Sequence, residues 1–273
     1  MSPPPLQLIF DRTGRAAGVE LDDAALVELY RYPDDGRRRL RSNFISSLDG
    51  SVQGLDGRSG GLGTPSDAHV FALHRALADA VLVGASTARA EGYRAVDLQP
   101  WQRELRAALG LAPFPALVVV SGSGRLDAAM ASPAEGEGGP VVVLSTRGAP
   151  ASALDPLREA GVEVRADDDE LDLAVALDRL AGEGWPRLLC EGGPGLHRAL
   201  LAAGLVDELS LTLAPVVVGG QGLRSTSGAA LEGPLAFELA FALHADDGTL
   251  FTSYRLARPA PSTPSDDSQR RSD

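Results

Sequence analysis

The chain has 273 residues and a formal net charge of −12. Its hydrophobic content of 44% is typical of a packed globular protein. The acidic excess argues against a general nucleic-acid-binding surface, and no apolar run approaches the roughly 20 residues that span a bilayer. All 25 basic residues are arginine, so a Walker-type phosphate loop, a Schiff-base lysine and a Ser–Lys hydrolase are excluded. We expect a cytoplasmic protein with no membrane partner and no nucleic-acid partner.

No metal site is predicted. Cys190 is the single cysteine, so it has no thiol partner at ligand spacing and cannot form an internal disulfide. His69 and His74 are five residues apart, which separates them by about 140° around a helix. The two remaining histidines, His197 and His244, are isolated in the sequence.

The predicted elements lie between two polar tails. Residues 1–20 and 259–273 are interpreted as disordered tails because they lack hydrophobic periodicity, and residues 21–258 as a single domain. Strands are predicted over 40–47, 79–84, 116–121, 140–145, 162–166, 187–191 and 208–220. Helices are predicted over 65–78, with Thr64 or Ser66 as its cap, and over 86–91, 101–110, 151–160, 170–182 and 195–203. Residues 237–245 and 249–257 are predicted to form an antiparallel hairpin through an Asp-Asp-Gly turn.

Apolar strands that alternate with helices predict an α/β fold. We expect a mixed, mostly parallel central sheet with helices on both faces and a C-terminal antiparallel hairpin. Ligands bind at the carboxyl ends of the strands in such sheets, and each candidate site below follows a strand.

A glycine-rich turn follows the predicted strand that ends at Glu191. Residues 192–195 read Gly-Gly-Pro-Gly and open a helix. Two interpretations stay open: the free N–H groups at the helix start bind a phosphate, or the glycines only turn the chain. The dinucleotide-binding fingerprint is incomplete, because Arg198 stands where its third glycine would be.

A second turn covers residues 83–93. Gly84 is small enough for a flat ring to approach, and Thr87 offers a hydroxyl; alternatively, Ser86 or Thr87 only caps the following helix. The segments 121–125 and 145–147 each combine hydroxyls with an arginine. That chemistry suits a ribose 2′-phosphate, although ordinary turns have the same composition.

The loop 46–64 carries two Asp-Gly pairs, at Asp49 and Asp56. A loop so rich in glycine contributes little packing and is a candidate for function, but two hairpin turns would also explain the pairs. Arg75 lies on a helix that could face this loop, or it is a solvated surface residue.

In order along the chain, these segments resemble the pyrimidine reductase of riboflavin biosynthesis. The resemblance is carried by "SNFISSLDGSV", "ALHRALADAVLVGASTARAEG", "LLCEGGPGLHRALLAAGLVDELSLTLAPVVVGG" and the terminal hairpin, and it covers about residues 40–257. In many bacteria this reductase is the C-terminal half of a bifunctional deaminase–reductase; because the His and Cys ligands are missing, we expect no zinc deaminase half here. The resemblance implies a dihydrofolate-reductase-like fold, bound NADPH and a homodimer. It also implies reduction of the ribosyl group of 5-amino-6-(5-phosphoribosylamino)uracil by hydride transfer to the ribosyl C1.

The resemblance and the turn chemistry together assign the site residues. The candidate catalytic residues are Asp49 and Glu191. The candidate substrate-binding residues are Asn43, Ser59, Arg75 and Glu191. The candidate cofactor-binding residues are Gly61, Gly84, Thr87, Glu91, Ser121, Ser123, Gly192, Gly193, Pro194, Gly195 and Leu196.

The sequence also departs from the family pattern. Asn43 stands where the family often has lysine, and Glu91 where it has aspartate. The arginine that binds the substrate phosphate is missing from residues 94–98, unless Arg94 replaces it. Two alternatives therefore remain: an NADPH-dependent reductase of another heterocycle such as dihydrofolate, and a nucleotide-binding regulator without turnover. The charges of Asp49, Arg75 and Glu191 favour an enzyme, since three charged groups around one cleft are costly to desolvate without a polar ligand.

Overall fold

A single eleven-stranded sheet runs through the computed structural model, which describes residues 5–166 and 168–257. The strands are β1 (Leu6–Asp11), β2 (Glu20–Leu21), β3 (Arg39–Ser46), β4 (Ala80–Gly84), β5 (Ala116–Val120), β6 (Val141–Leu144), β7 (Glu163–Arg165), β8 (Arg187–Cys190), β9 (Glu208–Leu213), β10 (Phe237–Ala245) and β11 (Leu250–Leu256). The helices are α1 (Asp23–Tyr30), α2 (Pro65–Leu77), α3 (Ala85–Glu91), α4 (Pro100–Ala108), α5 (Ala151–Glu159), α6 (Leu173–Gly182) and α7 (Pro194–Ala202), with short 3₁₀ turns at Ser59–Leu62 and Ala128–Ala131.

The strand order is β2-β1-β10-β11-β9-β3-β8-β4-β5-β6-β7. The strands from β9 to β7 are parallel to one another, whereas β10 and β11 form an antiparallel hairpin that pairs with β9 and β1. This arrangement confirms the predicted mixed, mostly parallel sheet and its C-terminal hairpin.

Helices cover both faces of the parallel half, as predicted. Val81 and Val83 of β4 pack in one core with α3 and α5, while Ala80 and Leu82 pack in another with α6 and α7. Alternate residues of one strand point to opposite faces, so these two cores lie on opposite sides of the sheet. A third core joins α1 and α2 to β1, β10 and β11. No helix of the described residues is long and apolar enough to cross a membrane.

The prediction of a disordered tail over residues 1–20 is wrong for Leu6–Asp11, which form β1. Leu6 and Leu8 are buried, and β1 pairs with β10 and β2. Two buried leucines and the backbone hydrogen bonds to two neighbouring strands offset the entropy of ordering this segment. The tail predicted over residues 259–273 lies outside the described residues.

The strand predicted over 208–220 ends early, at Leu213. Its partner β3 ends at Ser46, which is opposite Leu213, so the residues that follow have no strand on that side with which to pair. Val216 and Val217 are exposed. The cap of α2 is Thr64, whose hydroxyl accepts the Asp67 N–H at 3.2 Å.

Candidate active site

A cavity of about 860 Å³ lies among residues that follow β3, β4 and β8 and that begin α2. We refer to it as the main cavity. Eight of the predicted site residues line it: Asn43, Ser59, Thr87, Glu91, Glu191, Gly193, Pro194 and Gly195. The aromatic rings of Phe44, Phe71 and Tyr93 also contribute to the wall, which makes it suitable for a flat ring.

Glu191, which lines the main cavity, forms an ion pair with Arg75, which is not among the lining residues. Arg75 donates from Nε to Oε1 at 2.8 Å and from Nη2 to Oε2 at 2.7 Å, and the Tyr93 hydroxyl donates to Oε2 at 2.7 Å. The Glu191 side chain is only 2% exposed, and the Arg75 guanidinium lies 4.5 Å from the centre of the Phe71 ring. The structure thus brings together the two predicted residues and adds Tyr93, which nothing in the sequence indicated.

Burial and charge fix the protonation states of Tyr93 and Arg75. Burial raises the pKa of Tyr93 well above its usual range, and the Glu191 carboxylate raises it further. The pKa of Arg75 is also raised, because attraction to Glu191 outweighs the opposing effect of burial. Arg75 therefore stays charged and Tyr93 stays a hydrogen-bond donor.

Ser59 and Glu91 also come together. The Ser59 N–H and hydroxyl donate to Glu91 Oε1 at 2.9 and 3.1 Å. Glu91 therefore fastens the glycine-rich loop to the end of α3. Gly61 is not part of the lining; it packs against Asp56, whose Oδ1 would lie 2.9 Å from an added Cβ.

The glycine turn after β8 has a steric cause. Gly192 has a φ of +88°, a region that favours glycine. A Cβ added to Gly193 would lie 2.1 Å from Thr87 Oγ1, whereas one added to Gly195 would meet no atom within 4 Å. A side chain at 193 would therefore displace the Thr87 hydroxyl from its position, whereas Gly195 faces open space in the main cavity.

A second cavity of about 440 Å³ lies on the other side of α3. Its lining includes the predicted residues Gly84, Ser121, Ser123 and Leu196, and also Arg89, which was not predicted. Ser86 of α3 lines both cavities, and at the beginning of α7 Gly195 lines the first and Leu196 the second, so the two cavities adjoin there. Ser121 Oγ accepts the Gly124 N–H at 3.0 Å and holds the turn after β5.

Asp49 lies apart from both cavities. It accepts hydrogen bonds from the Ser47 hydroxyl at 2.6 Å and from the N–H groups of Val218 and Gly219 at 3.2 and 2.7 Å. These bonds lower the pKa of Asp49 to about 2. It lines a separate cavity of about 300 Å³ with the glycine-rich loop 219–222. Asp49 therefore holds that loop and does not line the main cavity, and its catalytic role stays a prediction from the resemblance.

Asp67, in the first turn of α2, is a further acid in the main cavity that the sequence did not single out. Burial raises the pKa of Asp67 to about 6; the Thr212 hydroxyl opposes this shift and the Asp247 carboxylate adds to it. An acidic residue in the first turn of a helix is ordinary, because it interacts well with the helix dipole. Nothing in the sequence therefore distinguished it.

Among the residues that the structure describes, no arginine lines the main cavity. Arg94, the candidate replacement for the phosphate-binding arginine of the family, is exposed and lies outside this lining. In the part of the chain that the structure describes, no group of three or more His, Cys, Asp or Glu side chains is placed to hold a metal ion.

Comparison with known proteins identifies a matching family model and similar reductases. A model of the RibD C-terminal domain matches residues 38–251. A 2,5-diamino-6-ribosylamino-4(3H)-pyrimidinone 5′-phosphate reductase of Methanothermobacter thermautotrophicus is 31% identical over 187 residues, covering 67% of this chain and 80% of that protein. A protein of the same name from Archaeoglobus fulgidus is 28% identical over 179 residues, covering 66% of this chain and 81% of that one.

Solved structures agree with these relatives. A pyrimidine reductase-like protein of Corynebacterium diphtheriae superposes with a TM-score of 0.69 at 31% identity, covering 81% of this chain and 92% of that chain. A diaminohydroxyphosphoribosylaminopyrimidine deaminase/5-amino-6-(5-phosphoribosylamino)uracil reductase of Thermotoga maritima superposes with a TM-score of 0.60, covering 81% of this chain and 57% of that one; at 19% identity this shows a shared fold. The family model confirms over residues 38–251 the resemblance that the motifs indicated, and the chain belongs to the RibD C-terminal domain family.

Proposed function

We propose that this protein is an NADPH-dependent reductase that transfers a hydride to the ribosyl C1 of a phosphoribosylaminopyrimidine in riboflavin biosynthesis. The observation that carries the proposal is that two cavities adjoin: both are lined by Ser86 of α3, and the neighbouring residues Gly195 and Leu196 at the beginning of α7 line one cavity each. Such a site suits an elongated dinucleotide with its reacting ring in one cavity and its adenosine in the other. The reductase relatives from M. thermautotrophicus and A. fulgidus support the same activity.

The beginning of α7 fits the diphosphate of such a cofactor. No side chain caps this helix, and its first residue is Pro194. The first helical hydrogen bond runs from the His197 N–H to the Gly193 carbonyl at 2.9 Å, so the N–H groups of residues 195 and 196 have no partner within the helix. Together with the helix dipole they form an anion site despite the net negative charge of the chain.

The second cavity fits the 2′-phosphate that distinguishes NADPH from NADH. Arg89 is the basic residue of its lining, with hydroxyls from Ser121 and Ser123. Arg89 Nη1 donates to the Arg125 carbonyl at 2.8 Å. A guanidinium has five N–H donors, so the contact with Arg125 leaves donors for a phosphate.

Bound NADPH would supply the hydride, and the residues of the main cavity would orient the sugar and exclude water. Glu191 Oε2 accepts two hydrogen bonds while Oε1 accepts one, so Oε1 retains a lone pair for a ribosyl hydroxyl. The Arg75 pair and the Tyr93 hydroxyl fix the carboxylate before substrate arrives. Positioning of this kind supplies much of the rate acceleration in reactions in which the protein forms no covalent bond with the substrate.

One observation favours a second candidate function. The lining of the main cavity contains no arginine among the described residues, whereas a substrate phosphate is usually bound by one. An NADPH-dependent reductase of an unphosphorylated heterocycle, such as dihydrofolate, would not need it. A nucleotide-binding regulator would use the same cofactor site without turnover.

The test is to follow the absorbance of reduced nicotinamide after adding a ribosylaminopyrimidine 5′-phosphate or dihydrofolate to the protein and NADPH. Oxidation with the ribosylaminopyrimidine supports the proposed function. Oxidation with dihydrofolate alone supports the second candidate, and binding without oxidation supports the regulator.

Gly195→Asp tests the cofactor site independently of the substrate. The added carboxylate has open space, and a negative charge in the first turn stabilises a helix, so the fold should persist. Repulsion of the diphosphate should weaken NADPH binding by at least about 10-fold, equivalent to 1.4 kcal/mol. Gly195→Ala is the matched control and should bind within a few-fold of the parent protein. Unchanged affinity in the folded Asp variant would contradict the placement of the diphosphate.

We also propose a homodimer, with an interface at the exposed apolar side chains of Leu48, Val216 and Val217. The Leu48 N–H donates to the Val216 carbonyl at 2.8 Å, which holds the two segments side by side. Adjacent exposed apolar side chains are typical of association surfaces.

A further inference from the structure

Asp67 projects into the main cavity from the first turn of α2. Its backbone N–H is bound by Thr64, and its Oδ2 lies 3.8 Å from the position of a Cβ added at Gly63, another lining residue. Asn43 and Phe71 belong to the same wall. The carboxylate therefore faces the space in which a flat substrate ring would lie beside aromatic side chains.

This carboxylate has no cationic partner among the described residues. The guanidinium of Arg75, two turns further along α2, is occupied by both oxygens of Glu191. The groups that face Asp67 from neighbouring elements are the Thr212 hydroxyl of β9, the Asp247 carboxylate of the β10–β11 turn and the Tyr30 hydroxyl of α1. None of them is positively charged.

A half-buried acid without a cation is costly to the folded protein. Burial raises the pKa of Asp67 to about 6, and Asp247 adds to the shift, so the acid is mostly ionised at neutral pH. Partly desolvated carboxylates are normally paired with donors. The Thr212 hydroxyl is one donor to Asp67, and the remaining donors are expected on the ligand.

Two adjacent N–H donors match a carboxylate best, since each of its oxygens then accepts one hydrogen bond. A 2-amino-4(3H)-pyrimidinone presents this edge, because its ring N3–H lies beside its exocyclic 2-amino group. The 2-oxo form, a uracil, has N3–H between two carbonyl groups, so one Asp67 oxygen would face a carbonyl oxygen. The reductases of M. thermautotrophicus and A. fulgidus are named for a 2,5-diaminopyrimidinone.

We propose that the Asp67 carboxylate binds the ring N–H and the 2-amino group of the substrate, and so selects the 2-amino over the 2-oxo ribosylaminopyrimidine phosphate. This inference rests on the proposed function and names its substrate. A site built to bind a donor discriminates strongly against an analogue that lacks it. The expected preference for the 2-amino substrate is at least about 10²-fold in kcat/KM.

The experiment compares kcat/KM for the two substrates, with NADPH, in the full-length protein and in Asp67→Asn. The asparagine carbonyl can accept N3–H while its amide donates to the 2-oxo group, so this variant should lose or invert the preference. Asp247→Asn removes a neighbouring acid outside the lining of the main cavity and should keep the parent preference. If Asp67 had only a structural role, Asp67→Asn would lower kcat/KM equally for both substrates, and that result would overturn the inference. The inference would also be overturned if kcat/KM of the parent protein for the 2-oxo substrate equalled or exceeded that for the 2-amino substrate.

Binding of the two substrates to the NADP⁺ complex, measured by calorimetry, separates this inference from the proposed function. At least about 10-fold tighter binding of the 2-amino form, abolished in Asp67→Asn, supports the assignment even if neither substrate is reduced, in which case only the proposed reaction fails. Equal binding of the two forms would overturn the assignment even if both are reduced.

Discussion

Replacement of Arg75 by methionine is expected to destabilise the protein and to abolish reduction. The long apolar side chain retains contact with the Phe71 ring, over which the guanidinium lies at 4.5 Å. It leaves the Glu191 carboxylate, whose side chain is 2% exposed, with the Tyr93 hydroxyl as its remaining donor in this network. The substitution should therefore lower the free energy of unfolding, because the Glu191 charge stays buried without its counter-ion.

The size of the effect follows from the geometry. Removal of one member of a buried ion pair typically costs about 3–5 kcal/mol. Tyr93 still donates and Arg75 itself is 23% exposed, so water can reach part of the site. We expect the lower end, about 3 kcal/mol, which corresponds to a fall in Tm of roughly 6–12 °C for a domain of this size.

Chemical denaturation of Arg75→Met and of a double variant, Arg75→Met with Glu191→Leu, measures this cost. The double variant removes the stranded charge and should recover part of the lost stability. Arg158→Met is the matched control: its pair with Asp155 has side chains 47% and 57% exposed, so its loss should stay within about 1 kcal/mol. A loss below about 1 kcal/mol in Arg75→Met, or a double variant less stable than the single one, would refute the reasoning.

Three further predictions concern the cofactor, the pH dependence and assembly. Arg89→Met should raise the Kd for NADPH at least about 10-fold while leaving that for NADH within a few-fold, because it removes the basic group of the second cavity; equal losses for both would contradict this role. For the 2-amino substrate, kcat/KM should rise with pH through about 6, as Asp67 becomes ionised, and this limb should be missing in Asp67→Asn. Val217→Asp, at a side chain 70% exposed, should convert the proposed dimer to monomers in light scattering, whereas an unchanged mass would exclude this patch as the interface.

The parallel half of the sheet could be predicted because strands buried on both faces are continuous apolar runs. Val81, Leu82 and Val83 are fully buried and lie in such a run. β1 was missed because its alternation is broken: the pairing with β10 shifts between Leu8 and Phe10, and Ile9 and Phe10 are both exposed. A period of two cannot be recognised across such an irregularity.

The site residues that could be predicted are those that follow the end of a strand directly in the sequence. Glu191 and the glycine turn follow β8 directly, and the structure places them in the main cavity. Tyr93 could not be predicted, because its hydroxyl meets Glu191 across 98 positions of sequence. Asp49 was assigned from a motif position alone: three hydrogen bonds hold its carboxylate against a loop outside the main cavity, and its catalytic role stays a prediction.

The most direct test of the proposed reaction is the transfer of deuterium from NADPH labelled at the nicotinamide C4 to the ribosylaminopyrimidine phosphate. The product should be the ribityl compound with one deuterium at C1, detected by mass spectrometry and proton NMR. A reduced product without deuterium at C1, or oxidation of the cofactor without a ribityl product, would contradict hydride transfer in this site.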